Sequence, residues 1–292
     1  MPEPSQAVLA AVTRLVGPDA AVVRTTGLVG GTHARTTLLE LVDPQRDIVL
    51  REFDPGDGAA EREAHVLEVL DGLDGFVPHV LGHATGADGS WVAISRLAGA
   101  PIISPDDAMP WAQGLGRALA RLHSVPPGTI LRLPSALTRT GHTTASLQGP
   151  AAGVVAENWA RVCEGPDVLT HSDFWSGNVL WEGDAVSGVV DWSGGAYGPP
   201  ALDLGWCRLD LLLLYDERVA DEFLGSYRQA APSSAVDSAL CDLWALARSH
   251  ESVESWVPNY ADFGRLDLTA EELRRRHSRW TSDRLAALIG RP

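Results

Sequence analysis

The chain has 292 residues, of which 45% are hydrophobic and 21% are charged, and its formal net charge is -15 at pH 7. This composition is typical of a globular protein long enough to form two domains, and it excludes a disordered or fibrous chain. The acidic charge argues against a nucleic-acid-binding protein, which would present a basic surface to the phosphates. It is compatible with a positively charged small-molecule substrate.

The cysteines and the apolar segments bear on the cellular compartment. Cys163, Cys207 and Cys241 are odd in number and follow no short pairing motif, so we expect free thiols in a reducing compartment. The first residues lack the basic start and apolar block of a signal peptide, and the apolar run at 211–214 is too short to cross a bilayer. The sequence therefore predicts a cytoplasmic protein without a membrane partner, and it leaves the oligomeric state open.

The first third of the chain predicts a small, mostly antiparallel sheet with one inserted helix. A helix over 6–15 precedes two strands that flank a glycine-containing turn near Gly30, and a strand over 48–53 follows the turn at 43–46. The segment "AAEREAHVLEVLDGL" then has apolar residues at helical spacing, and 90–97 predicts a further strand.

Beyond this sheet the pattern becomes mainly helical. A helix in "WAQGLGRALARLHSV" is followed by a hairpin in "NVLWEGDAVSGVVDW", and helical segments continue to the end, where Thr269 and Glu272 form a capping-box pattern. The sequence thus predicts an α+β protein with a small β-rich N-terminal lobe, residues 1–98, and a larger, mainly α-helical C-terminal lobe, residues 99–292. We expect ligands to bind in a cleft between the two lobes.

The stretch "LTHSDFWSGNVLW" places polar side chains beside an apolar strand. Such residues are costly in an apolar neighbourhood unless they are hydrogen-bonded or bind a ligand. Asn178 begins one strand of the predicted hairpin and Asp191 ends its partner, while Asp173 lies on the loop that enters it. Two carboxylates and one amide at the same end of a hairpin suit a hard divalent cation such as Mg²⁺, especially when substrate phosphates complete its coordination shell.

The motif "HSDFWSGNVLW", followed by "GVVDWSGGAYGPPALDLGW", resembles the aminoglycoside phosphotransferase and choline kinase superfamily. That family has a bilobal, protein-kinase-like fold, and its catalytic loop reads His-x-Asp, four residues, then Asn. The resemblance implies ATP- or GTP-dependent, Mg²⁺-requiring transfer of a phosphoryl group to a hydroxyl of a small molecule. The segment "DWSGG" lacks the acidic residue usual in the choline kinase type, which favours the aminoglycoside phosphotransferase branch.

The resemblance assigns a role to each polar residue of this segment. Asp173 would be the catalytic carboxylate that orients the substrate hydroxyl, and Asn178 and Asp191 would hold Mg²⁺ on the nucleotide phosphates. His171 would anchor the loop, and Asp203 would brace it by hydrogen bonds. Ser172, between the histidine and the catalytic aspartate, occupies a position where the family commonly has glycine.

The N-terminal lobe would bind the nucleotide. Arg51 stands where a kinase places its phosphate-binding lysine, and Glu63 stands where the carboxylate partner of that lysine belongs; the alternative is an exposed surface pair. A glycine turn would cover the phosphates, and backbone groups of 96–98 would bind the adenine. The remaining residues assigned to nucleotide binding are Gly30, Gly31, Thr32, His33, Arg96 and Ala98.

The C-terminal helices would choose the acceptor. Carboxylates and aromatic faces together suit a cationic, hydroxylated ligand, although acidic helix surfaces and core tryptophans are also common in proteins that bind none. The candidate acceptor-binding residues are Asp210, Glu251, Glu254, Trp256 and Tyr260. The favoured acceptor is an aminoglycoside-like or other cationic antibiotic, and the alternatives are macrolide-like natural products and small metabolites.

Other functional classes fit the sequence less well. Only twelve positions separate Asp191 from Asp203, which leaves no room for the activation segment of a protein kinase. A dehydrogenase interpretation of "GLVGG" fails because the glycine pattern is incomplete and lies in a strand meander. A catalytically idle nucleotide-binding module on the same scaffold stays open.

Overall fold

The computed structural model describes residues 3–30, 33–86, 89–138, 143–231 and 236–289. The chain divides into two compact units, one formed by Met1–Gly99 with Ser187–Gly194 and the other by Ala100–Val186 with Gly195–Pro292. The α+β prediction is confirmed, because antiparallel strands dominate the first unit and helices the second.

The first unit is built on a five-stranded antiparallel sheet. Its elements, in chain order, are α1 (Gln6–Val16), β1 (Ala21–Gly27), β2 (Arg35–Val42), β3 (Arg46–Phe53), α2 (Ala59–Leu70), β4 (Val80–Ala84) and β5 (Ser90–Ser95). The strands lie in the order β1-β2-β3-β5-β4, so β3 is central, with Arg51 paired to Thr36 on one side and Val92 on the other.

Alternation along β3 directs its residues to two faces of the sheet. Ile48 and Leu50 point into a core that Val8 and Val12 of α1 complete, and this core also contains Leu39, Leu41, Trp91 and Ala93. Arg51, the next residue after Leu50, is therefore directed to the opposite face of the sheet, as period-two geometry requires.

The second unit is mainly helical. Its helices are α3 (Ala108–His123), α4 (Pro127–Ile130), α5 (Ala152–Glu157), α6 (Trp159–Val162), α7 (Ala201–Leu214), α8 (Glu217–Ala230), α9 (Ser238–Ser249), α10 (Val257–Ala261) and α11 (Ala270–Ile289). Its strands pair in short antiparallel ladders, β7 (Val168–Thr170) with β10 (Ala196–Gly198) and β6 (Ala100–Pro101) with β8 (Val179–Glu182). The chain continues from β8 into β9 (Ala185–Val189).

Close helix packing in this unit depends on two glycines. A Cβ at Gly116 of α3 would lie 2.4 Å from the Phe223 carbonyl oxygen of α8, and one at Gly205 of α7 would lie 2.3 Å from the Cys241 carbonyl oxygen of α9. These distances are far below van der Waals contact, so only glycine lets the backbones approach this closely. Within the described residues, no helix is both long and apolar enough to span a membrane.

The structure corrects one boundary of the predicted lobes. Residues 187–194, which the sequence assigned with the C-terminal lobe, belong to the first unit. The reason is local hydrogen bonding, since Val189 N donates to the Phe76 carbonyl at 2.9 Å and Trp192 N donates to Glu63 at 3.2 Å.

Candidate active site

A buried carboxylate holds the start of the loop that follows β7. Asp203, fully buried at the start of α7, accepts hydrogen bonds from the backbone N–H groups of His171 and Ser172, each at 2.8 Å. His123 lies 3.3 Å from the same carboxylate through Nε2. Ser172 has a φ of 68°, in the left-handed region, so the bracing carboxylate holds a non-glycine residue in a conformation that glycine adopts more readily.

Both oxygens of the Asp173 carboxylate accept hydrogen bonds. Oδ1 accepts from the indole Nε1–H of Trp206 at 2.9 Å, and Oδ2 accepts from Nδ2 of Asn178 at 3.2 Å. Asn178 Nδ2 also donates to the Asp173 carbonyl at 3.0 Å. Because the amide nitrogen of Asn178 is committed to Asp173, its amide oxygen is the atom that can bind a cation.

A second buried carboxylate supports the middle of this loop. Asp210 of α7 accepts from the backbone N–H of Ser176 at 3.0 Å, from its hydroxyl at 2.7 Å, and from the Tyr260 hydroxyl at 3.1 Å. Burial raises the pKa of Asp210 to about 6, although these donors favour the charged form. Asp210 and Tyr260, which the sequence assigned to acceptor binding, are both buried, and Asp210 is hydrogen-bonded to the loop.

The other candidate acceptor-binding residues differ in their surroundings. Glu251 is exposed, whereas Glu254 forms an ion pair with Arg274 that lowers its pKa. Trp256 is half-buried, and its ring lies 5.2 Å from the ring of Trp206, the residue that donates to Asp173. Among Glu251, Glu254 and Trp256, it is thus Trp256 that lies against a residue bonded to the loop after β7.

In the first unit, one guanidinium joins two acidic residues. Arg51 donates through Nη1 to Glu63 at 2.9 Å and through Nη2 to Asp191 at 2.8 Å. Arg51 and Glu63 are buried, so the alternative of an exposed surface pair does not apply. The planar fork of arginine can serve both carboxylates at once, which the single ammonium of lysine does less well; the chain contains no lysine at all.

Burial has the largest effect on the pKa of Glu63, one of the two carboxylates that Arg51 joins. Loss of solvent raises the pKa of Glu63 to about 7, against the opposing effects of Arg51 and of the Trp192 N–H. Asp191 adopts a φ of 67°, and Ser193 donates its hydroxyl to Asp191 at 3.2 Å. The segment after β9 therefore aims the Asp191 carboxylate at Arg51 by a left-handed turn.

The remaining residues predicted to bind nucleotide lie in loops or at strand ends. Gly30 has a φ of 99°, and His33 is exposed; Gly31 and Thr32 lie outside the described residues. The Arg96 side chain pairs with Asp47, and the Ala98 carbonyl accepts a hydrogen bond from the Ser187 hydroxyl at 2.6 Å.

The Asn178 amide and the Asp191 carboxylate, taken separately, each offer an oxygen of the kind that binds a magnesium ion. Carboxylate and amide oxygens are the hard donors that Mg²⁺ prefers, and this ion usually keeps water or phosphate oxygens in its remaining positions. In the part of the chain that the structure describes, no group of three or more His, Cys, Asp or Glu side chains is arranged to hold a metal ion.

Sequence reasoning missed the direct contact between Trp206 and Asp173. A tryptophan in an apolar helix is usually a core residue, and its hydrogen bond is invisible in the pattern. The available signal was the spacing of the polar positions in "DLGWCRLD", because Asp203, Trp206 and Asp210 fall on one face of a helix at i, i+3 and i+7.

The fold is shared with solved phosphotransferases. Macrolide 2'-phosphotransferase MphH from Brachybacterium faecium is 20% identical, with a TM-score of 0.58 over 94% of this chain and 97% of that one. A thermostable mutant of aminoglycoside phosphotransferase APH(4)-Ia, solved with ADP and hygromycin B, is 14% identical, with a TM-score of 0.60 over 94% of this chain and 97% of that one.

Sequence comparison adds a curated relative and a family. The 4-hydroxytryptamine kinase of Psilocybe cyanescens is 38% identical over 84 residues, which cover 26% of this chain and 23% of that protein, so the match spans about a quarter of either. The model described as "Phosphotransferase enzyme family" matches residues 24–240. The chain therefore belongs to the phosphotransferase enzyme family and has its protein-kinase-like fold.

Proposed function

We propose that this protein transfers the γ-phosphoryl group of ATP or GTP to a hydroxyl group of a small molecule. The observation that carries the proposal is the Asp173 carboxylate, whose two oxygens are both oriented by neutral donors on a loop that Asp203 and Asp210 brace from α7. A carboxylate fixed in this way can orient an incoming hydroxyl for in-line attack on phosphorus and accept its proton.

The reaction we propose is a direct transfer without a phosphoenzyme. The attacking hydroxyl oxygen forms the new bond to the γ-phosphorus, the bond to the β,γ-bridging oxygen breaks, and the hydroxyl proton passes to Asp173. Asn178 and Asp191 would hold Mg²⁺, which supplies charge neutralisation at the phosphates when bound. Asp203 keeps the loop in place through the backbone of His171 and Ser172.

Arg51 is our proposed phosphate-binding residue. Its guanidinium spans Glu63 and Asp191, so the same fork that fixes Asp191 can present its positive charge to nucleotide phosphates. The glycine turn at Gly30, Gly31, Thr32 and His33 would cover the phosphates, and backbone groups at 96–98 would contact the base. These assignments follow from the family resemblance.

For the acceptor we propose an aminoglycoside-like or other cationic hydroxylated compound, with Trp256 and Glu251 as contact residues. The net charge of -15 and the half-buried Trp256 beside Trp206 support a cationic ligand, through ion pairing and cation–π contact. The match to 4-hydroxytryptamine kinase supports a second candidate, a smaller hydroxylated amine. The protein would confer antibiotic resistance only if its acceptor is the first candidate, an aminoglycoside-like or other cationic antibiotic.

We also propose that the protein works in the cytoplasm. The three cysteines are free, and two of them, Cys207 and Cys241, are buried. Buried free thiols are typical of proteins in reducing compartments. Labelling of unreduced cell extract with a thiol reagent under denaturing conditions should find all three cysteines reactive.

The test is a mass-spectrometric screen. The purified protein is incubated with Mg²⁺, either ATP or GTP, and a panel of aminoglycosides, macrolides and hydroxylated amines that includes hygromycin B and 4-hydroxytryptamine. One compound should gain a single phosphoryl group. Nucleotide binding without any product would instead favour an idle nucleotide-binding module.

Two variants locate the chemistry. Asp173→Ala should abolish most turnover while nucleotide binding, measured by titration, stays within a few-fold of the unmodified protein. Asp184→Ala, which removes an exposed carboxylate from the β8–β9 turn, is the matched control and should leave turnover unchanged. Full activity in Asp173→Ala would overturn the assignment.

A further inference from the structure

One face of α7 contacts the catalytic loop at three successive points. Asp203, Trp206 and Asp210 lie at i, i+3 and i+7, which places them on the same side of the helix. In the same order they bond to successive parts of the loop 171–176. We call these three residues the α7 stripe. Its two outer members brace the backbone, whereas the middle member reaches the reactive carboxylate itself.

We propose that Trp206 is a positioning residue for Asp173, fixing the rotation of its carboxylate through the indole N–H. The inference rests on the proposed function, in which Asp173 orients the acceptor hydroxyl. The indole nitrogen lies 2.9 Å from Oδ1, an ordinary length for a strong hydrogen bond. Asn178 holds Oδ2 at 3.2 Å, so the two donors together define the plane of the carboxylate.

A neutral donor has a specific advantage at this position. An indole N–H orients the carboxylate without cancelling its negative charge, whereas an arginine or lysine would form an ion pair and lower its basicity. Each carboxylate oxygen has two lone-pair positions, so one indole hydrogen bond does not by itself prevent a carboxylate oxygen from accepting a second donor. Geometry is therefore fixed while the capacity to accept a proton is kept.

Trp206 is itself held by its neighbours. Its ring lies 5.2 Å from the ring of Trp256 and 6.3 Å from that of the buried Trp244, and the Arg248 guanidinium lies 5.4 Å from its centre. An indole packed on several sides cannot swing its N–H away without displacing these groups. The hydrogen bond to Asp173 is thus built into the packing between α7 and α9, and it does not depend on a bound ligand.

The first test does not require turnover. In protein labelled with ¹⁵N-tryptophan, the indole N–H signal of Trp206, assigned by its disappearance in Trp206→Phe, should move upfield in Asp173→Ala. A signal that stays in place in Asp173→Ala would overturn the inference, because the hydrogen bond would then be absent in solution.

The second test is kinetic and uses a matched variant. With hygromycin B or 4-hydroxytryptamine as the probe acceptor, Trp206→Phe should lower kcat about tenfold, which corresponds to about 1.4 kcal/mol. The KM for the nucleotide should stay unchanged, because Trp206 acts on the carboxylate that meets the acceptor hydroxyl.

The control is Trp111→Phe. Trp111 is also buried, it contacts the rings of Trp181 and Tyr215, and its indole nitrogen has no hydrogen-bond partner among the described residues. This variant should keep kcat within twofold and leave the KM for the nucleotide unchanged. Equal effects of the two substitutions would overturn the positioning role. If the unmodified protein phosphorylates neither probe, the proposed substrates fail, and the NMR measurement alone decides the role of Trp206.

Discussion

Removal of the Asp203 carboxylate should loosen the loop that follows β7 by an amount that the structure lets us estimate. Asp203 accepts two backbone hydrogen bonds, each at 2.8 Å, and is fully buried. A hydrogen bond to a charged group contributes about 1.5–3 kcal/mol. Asp203→Ala, which loses both, should therefore destabilise the second unit by about 4 kcal/mol. Asp203→Asn, which keeps one acceptor oxygen, should cost about 2 kcal/mol.

The two substitutions can be compared by urea unfolding and by hydrogen exchange. The free energy of unfolding should fall in the order unmodified protein, Asp203→Asn, Asp203→Ala. Exchange at the amides of His171 and Ser172 should accelerate about tenfold for each 1.4 kcal/mol of local stability lost. A loss below 1 kcal/mol in Asp203→Ala, with both amides still protected, would refute the claim that this carboxylate holds the loop.

Three further predictions concern backbone strain, titration and helix packing. Ser172→Gly should raise stability slightly, because glycine tolerates the φ of 68°, whereas Ser172→Val should cost several kcal/mol; thermal unfolding distinguishes them. His277 is buried, and its pKa is lowered from 6.5 to about 4. The stability that it contributes is therefore present above pH 6.5 and is lost as the pH falls towards 4. Between pH 7 and pH 4.5 the free energy of unfolding should fall by an amount on the order of 2–3 kcal/mol, and His277→Gln should abolish this contribution. Gly205→Ala should lower the free energy of unfolding by about 1–3 kcal/mol, because its Cβ would meet the Cys241 carbonyl. Gly225→Ala, which points into open space on α8, should be neutral or stabilising. Chemical denaturation of both variants checks this prediction.

The elements of the fold were accessible from the sequence because their periodicity is strong. Alternation in β3 correctly predicted a strand that carries Arg51, and the helical spacing of apolar residues correctly predicted α2, α3 and α11. The motif from His171 to Asn178 identified the loop that α7 braces. The individual roles of its residues remain proposals for the kinetic tests above.

What the sequence could not predict is which polar groups are already paired. The side chains of Asp210 and Tyr260 resemble ligand-binding groups on a helical wheel, but three-dimensional packing turns them towards Ser176. The reverse holds for Trp206, which resembles a core tryptophan in the sequence but donates a hydrogen bond to the Asp173 carboxylate. Pairing of this kind depends on contacts between distant segments, which periodicity does not encode.

The membership of residues 187–194 in the first unit has a consequence for synthesis on the ribosome. Arg51 receives Asp191 from 140 positions further along the chain, and Glu63 receives the Trp192 N–H from 129 positions further along. Until that segment emerges, the nascent first unit must hold Arg51 and Glu63 together without Asp191 and Trp192. A buried ion pair that lacks its further hydrogen-bond partners is costly in an apolar interior. We therefore expect the unit translated first to be among the last to mature, and its slow step to be the closing of this long-range contact.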